Sequence, residues 1–380
     1  MNSIENSVID VKPLVFPKDV LARISPDLIL QRYLSLNLRP SIRSFDEFRD
    51  ISVSNIDDIE NEFADNVLGT NILKCGKTII ITTITASIIK EENQDETFER
   101  YYEDISGVER RRNKVSEYGS VYPVVEIERG RGNAPPSDEE MNIGQKLHDN
   151  ILHSGLISKK SLKVDYGVRI TDLETNKSKI IYPEEDEIND VPILQLNHYQ
   201  KNLKYVLHAK ITVFSRTGPL FDLCWNSLTY ALQNTKLPKA FIDEKAVSLK
   251  TIIRSRGKTT ELRENFNIIC DTNTRVPLQL NKENIAYASN YGIVDLDYDL
   301  IDTEYEEKNN DNDKKTVLLA DINTESEEEY INSSISIITN KYGNLKNIIV
   351  LGGTSKISME ILKKSISLSK IRAHDLESKA

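Results

Sequence analysis

The fold is decided by residues 205–238, which read YVLHAKITVF, then SRTGP, then LFDLCWNSLTYALQNTKLP. Residues 205–214 form the strongest strand prediction in the chain, because β-branched and aromatic residues dominate them. Gly218 and Pro219 supply the chemistry of a tight turn. Apolar residues from Phe221 to Leu232 then form a helical stripe, which we expect Pro238 to end. Strand, turn and helix together predict one layered α/β unit.

Two further segments extend this unit towards the N-terminus. Residues 77–89 are rich in Ile and Thr and carry no charge after Lys77, which predicts a central strand buried on both faces. Residues 138–156 place Ile143, Leu147 and Ile151 on one helical face. We therefore expect an amphipathic helix packed on a sheet.

The C-terminal part of the chain predicts a second unit of the same kind. Strand candidates occupy residues 285–296, 316–321, 334–338 and 347–351. A final amphipathic helix is predicted over residues 358–372, with its apolar positions at Ile361, Leu362, Leu368 and Ile371. Since 380 residues suggest about two domains, the predicted fold class is α/β (α+β) with two tandem domains, each a mixed sheet packed with helices.

The predicted domain boundaries follow from shifts in composition. Residues 1–30 form an N-terminal extension with short helices, residues 31–272 the first domain, and residues 273–380 the second. Charged or acidic insertions are expected near 91–117 and 174–190 in the first domain and near 297–315 in the second.

Composition excludes several classes of protein. A net charge of −10 argues against a free-standing nucleic-acid binder, so any RNA contact must come from a local basic patch. Three widely spaced cysteines without a CxxC pattern indicate neither a disulfide framework nor a zinc site, and favour a reducing compartment. The first residues lack the features of a signal peptide, and no run of 18 apolar residues occurs. We therefore expect an intracellular protein with no membrane association.

Candidate catalytic groups are few. The segment NIIVLGGTSK at residues 347–356 resembles a phosphate-cradling loop but lacks the Walker pattern, so a plain strand-to-helix turn is the expected structure. No histidine has a catalytic context, and we expect His148, His153 and His208 to pack or to form hydrogen bonds. Carboxylates that could hold metal ions are expected instead to lie at solvated strand ends and in a helix first turn: Asp295, Asp297, Asp299, Asp321, Glu325, Glu327, Glu328 and Glu329. No metal or cofactor is predicted.

Two basic clusters are candidates for RNA contact. Arg110, Arg111, Arg112 and Lys114 lie close to a pair of tyrosines, and Arg129 and Arg131 alternate with glycines after a strand. Flexible cations beside small residues and aromatic rings can follow a single-stranded phosphate backbone. A solvated charge run remains the alternative for each cluster.

Several segments together resemble the RNase PH family, and within it the ring subunits of the RNA exosome. RPSIRSFDEFR at residues 39–49 resembles the family's opening R-P-D-G-R-x-x-x-E-F-R, and residues 69–84 resemble its next strand pair. Residues 205–238 are similar to its strand, D-G-x-x-x-D-A turn and helix. Residues 321–328 and 352–362 are similar to the second domain's D-x-x-x-E-E and G-G-x-x-I-S-x-E-x-L. PPSDE at 135–139 is similar to the G-P-P-D-E of the ring's non-catalytic subunit type.

The departures from the family pattern imply a subunit without catalysis. Phosphorolytic relatives need arginines and a Gly/Ser-rich loop to hold phosphate and RNA, and an acid to protonate the leaving oxygen. Ser41-Ile42 replaces the opening Asp-Gly here, and Gln145, Asp149 and Leu152 stand where archaeal relatives carry RNA-gripping arginines. Ser333 or Ser334 stands where the family pattern has a carboxylate after the acidic cluster.

The resemblance thus implies a non-catalytic structural subunit that supports 3′–5′ RNA processing and degradation, ribosomal RNA maturation included. Its implied partners are other RNase PH-like subunits in a six-membered ring, cap subunits, an associated hydrolytic nuclease, and RNA in the channel. Its implied compartments are the nucleus, nucleolus and cytoplasm. A phosphate-dependent 3′–5′ exoribonuclease with a divergent site, or a pure protein-interaction adaptor, remains an alternative.

Overall fold

A computed structural model describes residues 17, 20, 23–55, 66–90, 118–130, 135–171, 178–182, 203–247, 251–252, 262–263, 266–296, 315–323, 325–328, 330–353 and 355–379. Helix α1 (Pro26–Ser35) precedes the first sheet. None of the described helices is long and apolar enough to cross a membrane.

The first sheet has five strands in the order β1-β2-β3-β7-β4. Its strands are β1 (Ile51–Ser54), β2 (Gly69–Cys75), β3 (Thr78–Lys90), β4 (Val121–Ile127) and β7 (Leu203–Phe214). β4 runs parallel to β7 and the other pairs are antiparallel, so the sheet is mixed, as predicted. The strand expected at 77–89 is central, but only one of its faces is fully buried, at positions such as Ile80 and Ile84. Ser87 and Ile89, on the other face, are exposed, because the described helices cover one side of the strand.

Two helices flank this sheet. α2 (Asp138–Ser154) begins in a capping box, in which Ser137 and Glu140 each bind the other's backbone N–H, and ends at Gly155 in the left-handed conformation. Its apolar face buries Ile143, Leu147 and Ile151, as the spacing predicted. α3 (Phe221–Gln233) packs on β2 and β3 and is buried on every side, not along one stripe.

A second mixed sheet follows in the order β11-β8-β5-β6. Its strands are β5 (Tyr166–Thr171), β6 (Ser178–Ile181), β8 (Lys236–Val247) and β11 (Phe266–Pro277). Thr251–Ile252 (β9) and Leu262–Arg263 (β10) form a small separate pair. The prediction that Pro238 closes α3 is wrong in detail, because the helix ends at Gln233 and Pro238 lies inside β8. A strand accepts proline where the ladder does not need its N–H.

The third sheet comes from the C-terminal part, in the order β13-β12-β14-β15. Its strands are β12 (Tyr287–Leu296), β13 (Lys315–Ala320), β14 (Ser333–Thr339) and β15 (Leu345–Leu351), all close to the predicted positions. The short helix α4 (Glu325–Glu328) precedes β14. All pairs are antiparallel, since hairpin-like connections favour that pairing, so this sheet is not mixed.

α5 (Met359–Glu377) packs on the third sheet. Its buried positions are Ser365, Ser369, Arg372, Ala373 and Leu376. Ile371, which we expected on the apolar face, is 68% exposed. Ser369 instead shares hydrogen bonds of 2.7 Å with the hydroxyls of Ser289 and Tyr291, so this face binds the sheet partly through polar contacts.

Candidate functional site

Three arginines from residues 39–49 meet two carboxylates that stand about 280 positions later in the chain. We call Arg39, Arg43, Arg49, Asp321 and Glu327 the arginine cluster. It joins the segment before β1 to the loop between β13 and β14. These are the same two segments that carry the family-like motifs.

Arg39 and Glu327 form the most buried pair of the cluster. Arg39 Nε lies 2.7 Å from Glu327 Oε1, Arg39 Nη2 lies 3.0 Å from Oε2, and both side chains are 0% exposed. Arg39 Nη1 and Nη2 also donate to the carbonyl oxygens of Ala320 and Asp321, at 2.6 and 2.8 Å. Every nitrogen of this guanidinium therefore already has a partner within the protein, and four of its five N–H groups donate hydrogen bonds.

Asp321 receives the other two arginines. Arg49 donates to both of its carboxylate oxygens at 2.8 Å, and the backbone N–H of Arg49 adds a third bond of 2.8 Å. Arg43 Nη1 lies 3.1 Å from Asp321 Oδ2, and Arg43 Nη2 bonds the Asp321 carbonyl oxygen and Asn323. Arg43 Nε is therefore the one guanidinium nitrogen of these three arginines that is buried without a partner.

The electrostatics of the cluster are close to balanced. Burial opposes ionisation of Asp321, but hydrogen bonds and charge from Arg49 outweigh it and hold the pKa of Asp321 below its ordinary value. Burial lowers the pKa of Arg43. Burial, assisted by the charge of Asp321, raises the pKa of the neighbouring Asp222 to about 7. Three cations thus face the carboxylates of Asp321 and Glu327, and burial favours the protonated form of the neighbouring Asp222 by raising its pKa.

The SRTGP turn packs against the cluster. Arg49 Nη1 lies 3.2 Å from Thr217 Oγ1, and Thr217 in turn bonds Thr78. Gly218 has φ +73°, and an added Cβ would meet the carbonyl oxygen of Ile322 at 2.2 Å. Only glycine suits this position, because the backbone is left-handed and the loop after β13 lies against it.

Arg216 extends the network at the surface. It bonds Glu139 at the start of α2 and Glu328 in α4, at 3.0 and 2.5 Å. Every arginine of the turn and the cluster thus binds a carboxylate of the protein itself. Beside Arg43 and Arg49 lies an open cleft of about 500 Å³, in which Lys74 adds a cation and Glu47 and Asp50 add acids.

The glycine-rich turn after β15 is also satisfied internally. The N–H groups of Gly353 and Ser355 donate to Ser333 Oγ at 3.1 and 3.3 Å, and the N–H of Lys356 donates to Asp295 at 3.1 Å. The expected strand-to-helix turn is therefore confirmed. Ser333, one of the two serines that stand where the family pattern has an acid, is buried and accepts hydrogen bonds from this turn.

The α2 face that carries arginines in archaeal relatives is acidic here. Gln145 Nε2 donates to Asp149 Oδ1 at 2.9 Å, and that hydrogen bond, together with His148, lowers the pKa of Asp149. At position 149 an approaching phosphate would therefore meet a carboxylate.

The candidates for RNA contact are placed only in part. Arg129 Nη2 lies 2.8 Å from Glu140 Oε2, so a largely buried carboxylate already balances its charge. Arg131 and the group of Arg110, Arg111, Arg112 and Lys114 lie outside the described residues. Their contact with RNA stays a prediction.

The expectation of solvated carboxylates is wrong for Asp321 and Glu327, which are 6% and 0% exposed. Sequence could not show this, because their arginine partners are remote in the chain. The available signal was two motifs, one with three arginines in residues 39–49 and one with two carboxylates in residues 321–327, which could pair with each other.

No group of three or more His, Cys, Asp or Glu among the described residues could hold a metal ion. His208 bonds Ser87 at 3.0 Å, and the ring of His148 packs on Tyr122.

Comparisons with known proteins agree with this geometry. A sequence profile described as RNase PH, 3′ exoribonuclease family, domain 1, matches residues 47–238, half of the chain. The chain is 24% identical over 368 residues to the exosome complex component rrp43 of Schizosaccharomyces pombe, which covers 96% of this chain and 98% of that protein.

Two solved structures share the fold. The Archaeoglobus fulgidus exosome with RNA bound to the active site matches with a TM-score of 0.52 and 14% identity, over 95% of this chain and 99% of that one. An archaeal exosome core matches with a TM-score of 0.50 and 14% identity, over 96% and 99%. With the family profile, these matches confirm the predicted fold class, and the chain belongs to the RNase PH, 3′ exoribonuclease, family.

Proposed function

We propose that this chain is a ring subunit of an exosome-type RNA-degrading particle, in which it supplies wall and interfaces but no phosphorolytic centre. The alignment to a protein named as an exosome complex component spans nearly the full length of both chains. Proteins that keep one shape over their whole length can occupy equivalent positions in a pseudo-symmetric ring.

The observation that carries the inert role is the pairing within the arginine cluster. Phosphorolysis needs cations that hold inorganic phosphate and an acid that protonates the leaving oxygen. Arg39 and Arg49 have their charges neutralised by Glu327 and Asp321, and Arg43 offers one buried N–H. Ser333 is a hydroxyl whose oxygen already accepts two backbone hydrogen bonds. Carboxylates of the protein thus occupy the cations that would hold phosphate, and a serine stands where the family pattern has the acid.

Exposed apolar side chains support a role in packing against neighbours. They include residues directly before and after α1, on the open face of β4 and along the edge strand β15, namely Ile24, Leu36, Leu38, Ile42, Tyr122, Val124, Val350 and Leu351. Ile42 is 95% exposed. Patches of this kind mark protein–protein contacts, and an unpaired edge strand invites pairing.

The proposal extends to partners and location. Other RNase PH-like subunits would flank the chain in a six-membered ring, cap subunits and a hydrolytic nuclease would bind the ring, and RNA would pass through the channel. The particle would act in the nucleus, the nucleolus and the cytoplasm, ribosomal RNA maturation included.

Affinity purification followed by native mass spectrometry tests the assembly. The tagged full-length chain should be recovered in a particle of several different subunits. Recovery only as a monomer or as a homo-oligomer would contradict the proposal.

Titration calorimetry tests the inert role. Inorganic phosphate titrated into the purified chain should give no saturable heat that depends on the arginine cluster, because each guanidinium of the cluster is already paired. Saturable binding that Arg43→Lys or Arg49→Lys abolishes, while Lys364→Arg leaves it unchanged, would show a working anion site.

A further inference from the structure

A cavity outside the arginine cluster combines a cationic rim with an apolar wall. It has a volume of about 310 Å³ and lies where β5, β8 and β11 meet the start of β7. That volume falls at the lower end of the range for ligand pockets, about 300–1,000 Å³. Lys160, Lys163 and Lys239 supply its cations, and Asp165 is its only acid among the described lining residues.

The rim keeps positive charge in a chain of net charge −10. Lys163 lies 3.8 Å from Asp165, which balances one ammonium group. Among the described residues, no carboxylate lies within 4 Å of the ammonium groups of Lys160 and Lys239. Within the described part of the chain, these two cations have no carboxylate partner, unlike the neutralised arginines of the cluster.

The wall of the cavity is apolar and fixed. Tyr182 and Tyr205 are buried, and the hydroxyl of Tyr205 donates to the carbonyl oxygen of Pro238 at 2.5 Å. Lys239 Nζ lies 4.3 Å from the centroid of the Tyr182 ring, so a cation–π contact holds this ammonium beside the cavity. A lysine held in this way loses less conformational entropy when it binds a ligand.

We propose that this cavity binds one nucleotide of single-stranded RNA, with its base against the apolar wall and its flanking phosphates at Lys160 and Lys239. The choice of RNA rests on the proposed function, whereas the cavity and its charge do not. RNA fits better than an acidic peptide, because a nucleotide brings a flat ring for the cavity together with a phosphate for the rim. A peptide carboxylate would occupy the rim alone.

The test uses the assembled particle and RNA that carries 4-thiouridine, a photoreactive base. Irradiation should crosslink RNA to residues 158–166 or 236–242, mapped by mass spectrometry after chymotrypsin digestion. The triple variant K160E/K163E/K239E should lower this crosslink about 10-fold or more. K356E/K363E/K370E is the matched control, with the same charge change on exposed lysines at and before α5, and should leave the crosslink intact.

Salt and shape provide independent readouts. Two phosphate contacts on a single strand predict that raising salt from 50 to 200 mM weakens the crosslink about 7-fold, since the slope is about −0.7 per contact. Val276→Trp should fill the cavity without changing charge, whereas Ile89→Trp, at a site of equal exposure on β3, should have no effect. RNA with abasic sites should compete poorly.

The outcomes separate the two proposals. A particle with all its subunits but no crosslink in these segments would overturn the RNA site and leave the ring assignment standing. Polyglutamate that competes as well as RNA of equal charge would also overturn it, in favour of an acidic peptide. Failure of the chain to enter a particle would contradict the ring assignment instead.

Discussion

Neutralising Glu327 should destabilise the protein strongly, whereas neutralising the adjacent Glu328 should not. Glu327 is 0% exposed and binds Arg39 through two hydrogen bonds, so Glu327→Gln leaves the Arg39 charge buried without its counterion. Removal of one partner from a buried pair costs about 3–5 kcal/mol. Glu328 pairs with Arg216, whose side chain is 34% exposed, and such a pair contributes about 0–1 kcal/mol.

Urea unfolding of the full-length chain measures both variants. Trp225 is the single tryptophan, and its indole N–H donates to Ala286 O, directly before β12, so its fluorescence reports the packing of α3 on the third sheet. We expect the free energy of unfolding to fall by about 3–5 kcal/mol for Glu327→Gln and by less than about 1 kcal/mol for Glu328→Gln. Equal losses in the two variants would refute the view that the arginine cluster fastens the segment before β1 to the loop between β13 and β14.

Three further predictions use other parts of the fold. Because the pKa of Asp222 rises from 3.8 to about 7 on folding, the folded state binds this proton more tightly, and the free energy of unfolding should fall as the pH rises from 3.8 to 7. This loss is at most about 1.4 kcal/mol per pH unit, and Asp222→Asn should abolish it. An equal change in the urea midpoint between pH 5 and pH 7 for the wild-type protein and for Asp222→Asn would contradict this. Gly218→Ala should lower the thermal midpoint more than Gly130→Ala, since both have left-handed backbones but only Gly218 meets a backbone oxygen; the clash adds about 1–3 kcal/mol. Ser137→Ala should cost about 1 kcal/mol through loss of the α2 capping box, measurable as a lower urea midpoint.

Local patterns predicted most of the secondary structure. The predicted strand at 205–214 and the observed Leu203–Phe214 differ by two residues, and α2 ends two residues before its predicted end. These elements bury side chains at the period of their own backbone, which a single sequence reveals. The final helix shows the limit, because Ser365 and Ser369 face the sheet and Ile371 faces outward. Hydroxyl partners on β12 decide that orientation, and they lie about 80 positions away.

The candidate site was less accessible to prediction. The resemblance located Arg39, Arg43 and Arg49, but their carboxylate partners stand 272–288 positions away, and no local pattern pairs them. Asp321 therefore gave the signal of an exposed strand end. The lysine-rimmed cavity could not be predicted for the same reason, since Lys160 and Lys163 lie in one segment and Lys239 lies in another, remote along the chain.

Phosphorolysis tests the central claim most directly. The particle would be assembled with its hydrolytic nuclease inactivated, supplied with labelled single-stranded RNA and inorganic phosphate, and assayed for nucleoside diphosphates. We predict no release that depends on this chain, because its arginines are bound to its own carboxylates. Phosphate-dependent release that disappears with Arg49→Lys in this chain, while Lys364→Arg preserves it, would contradict the account.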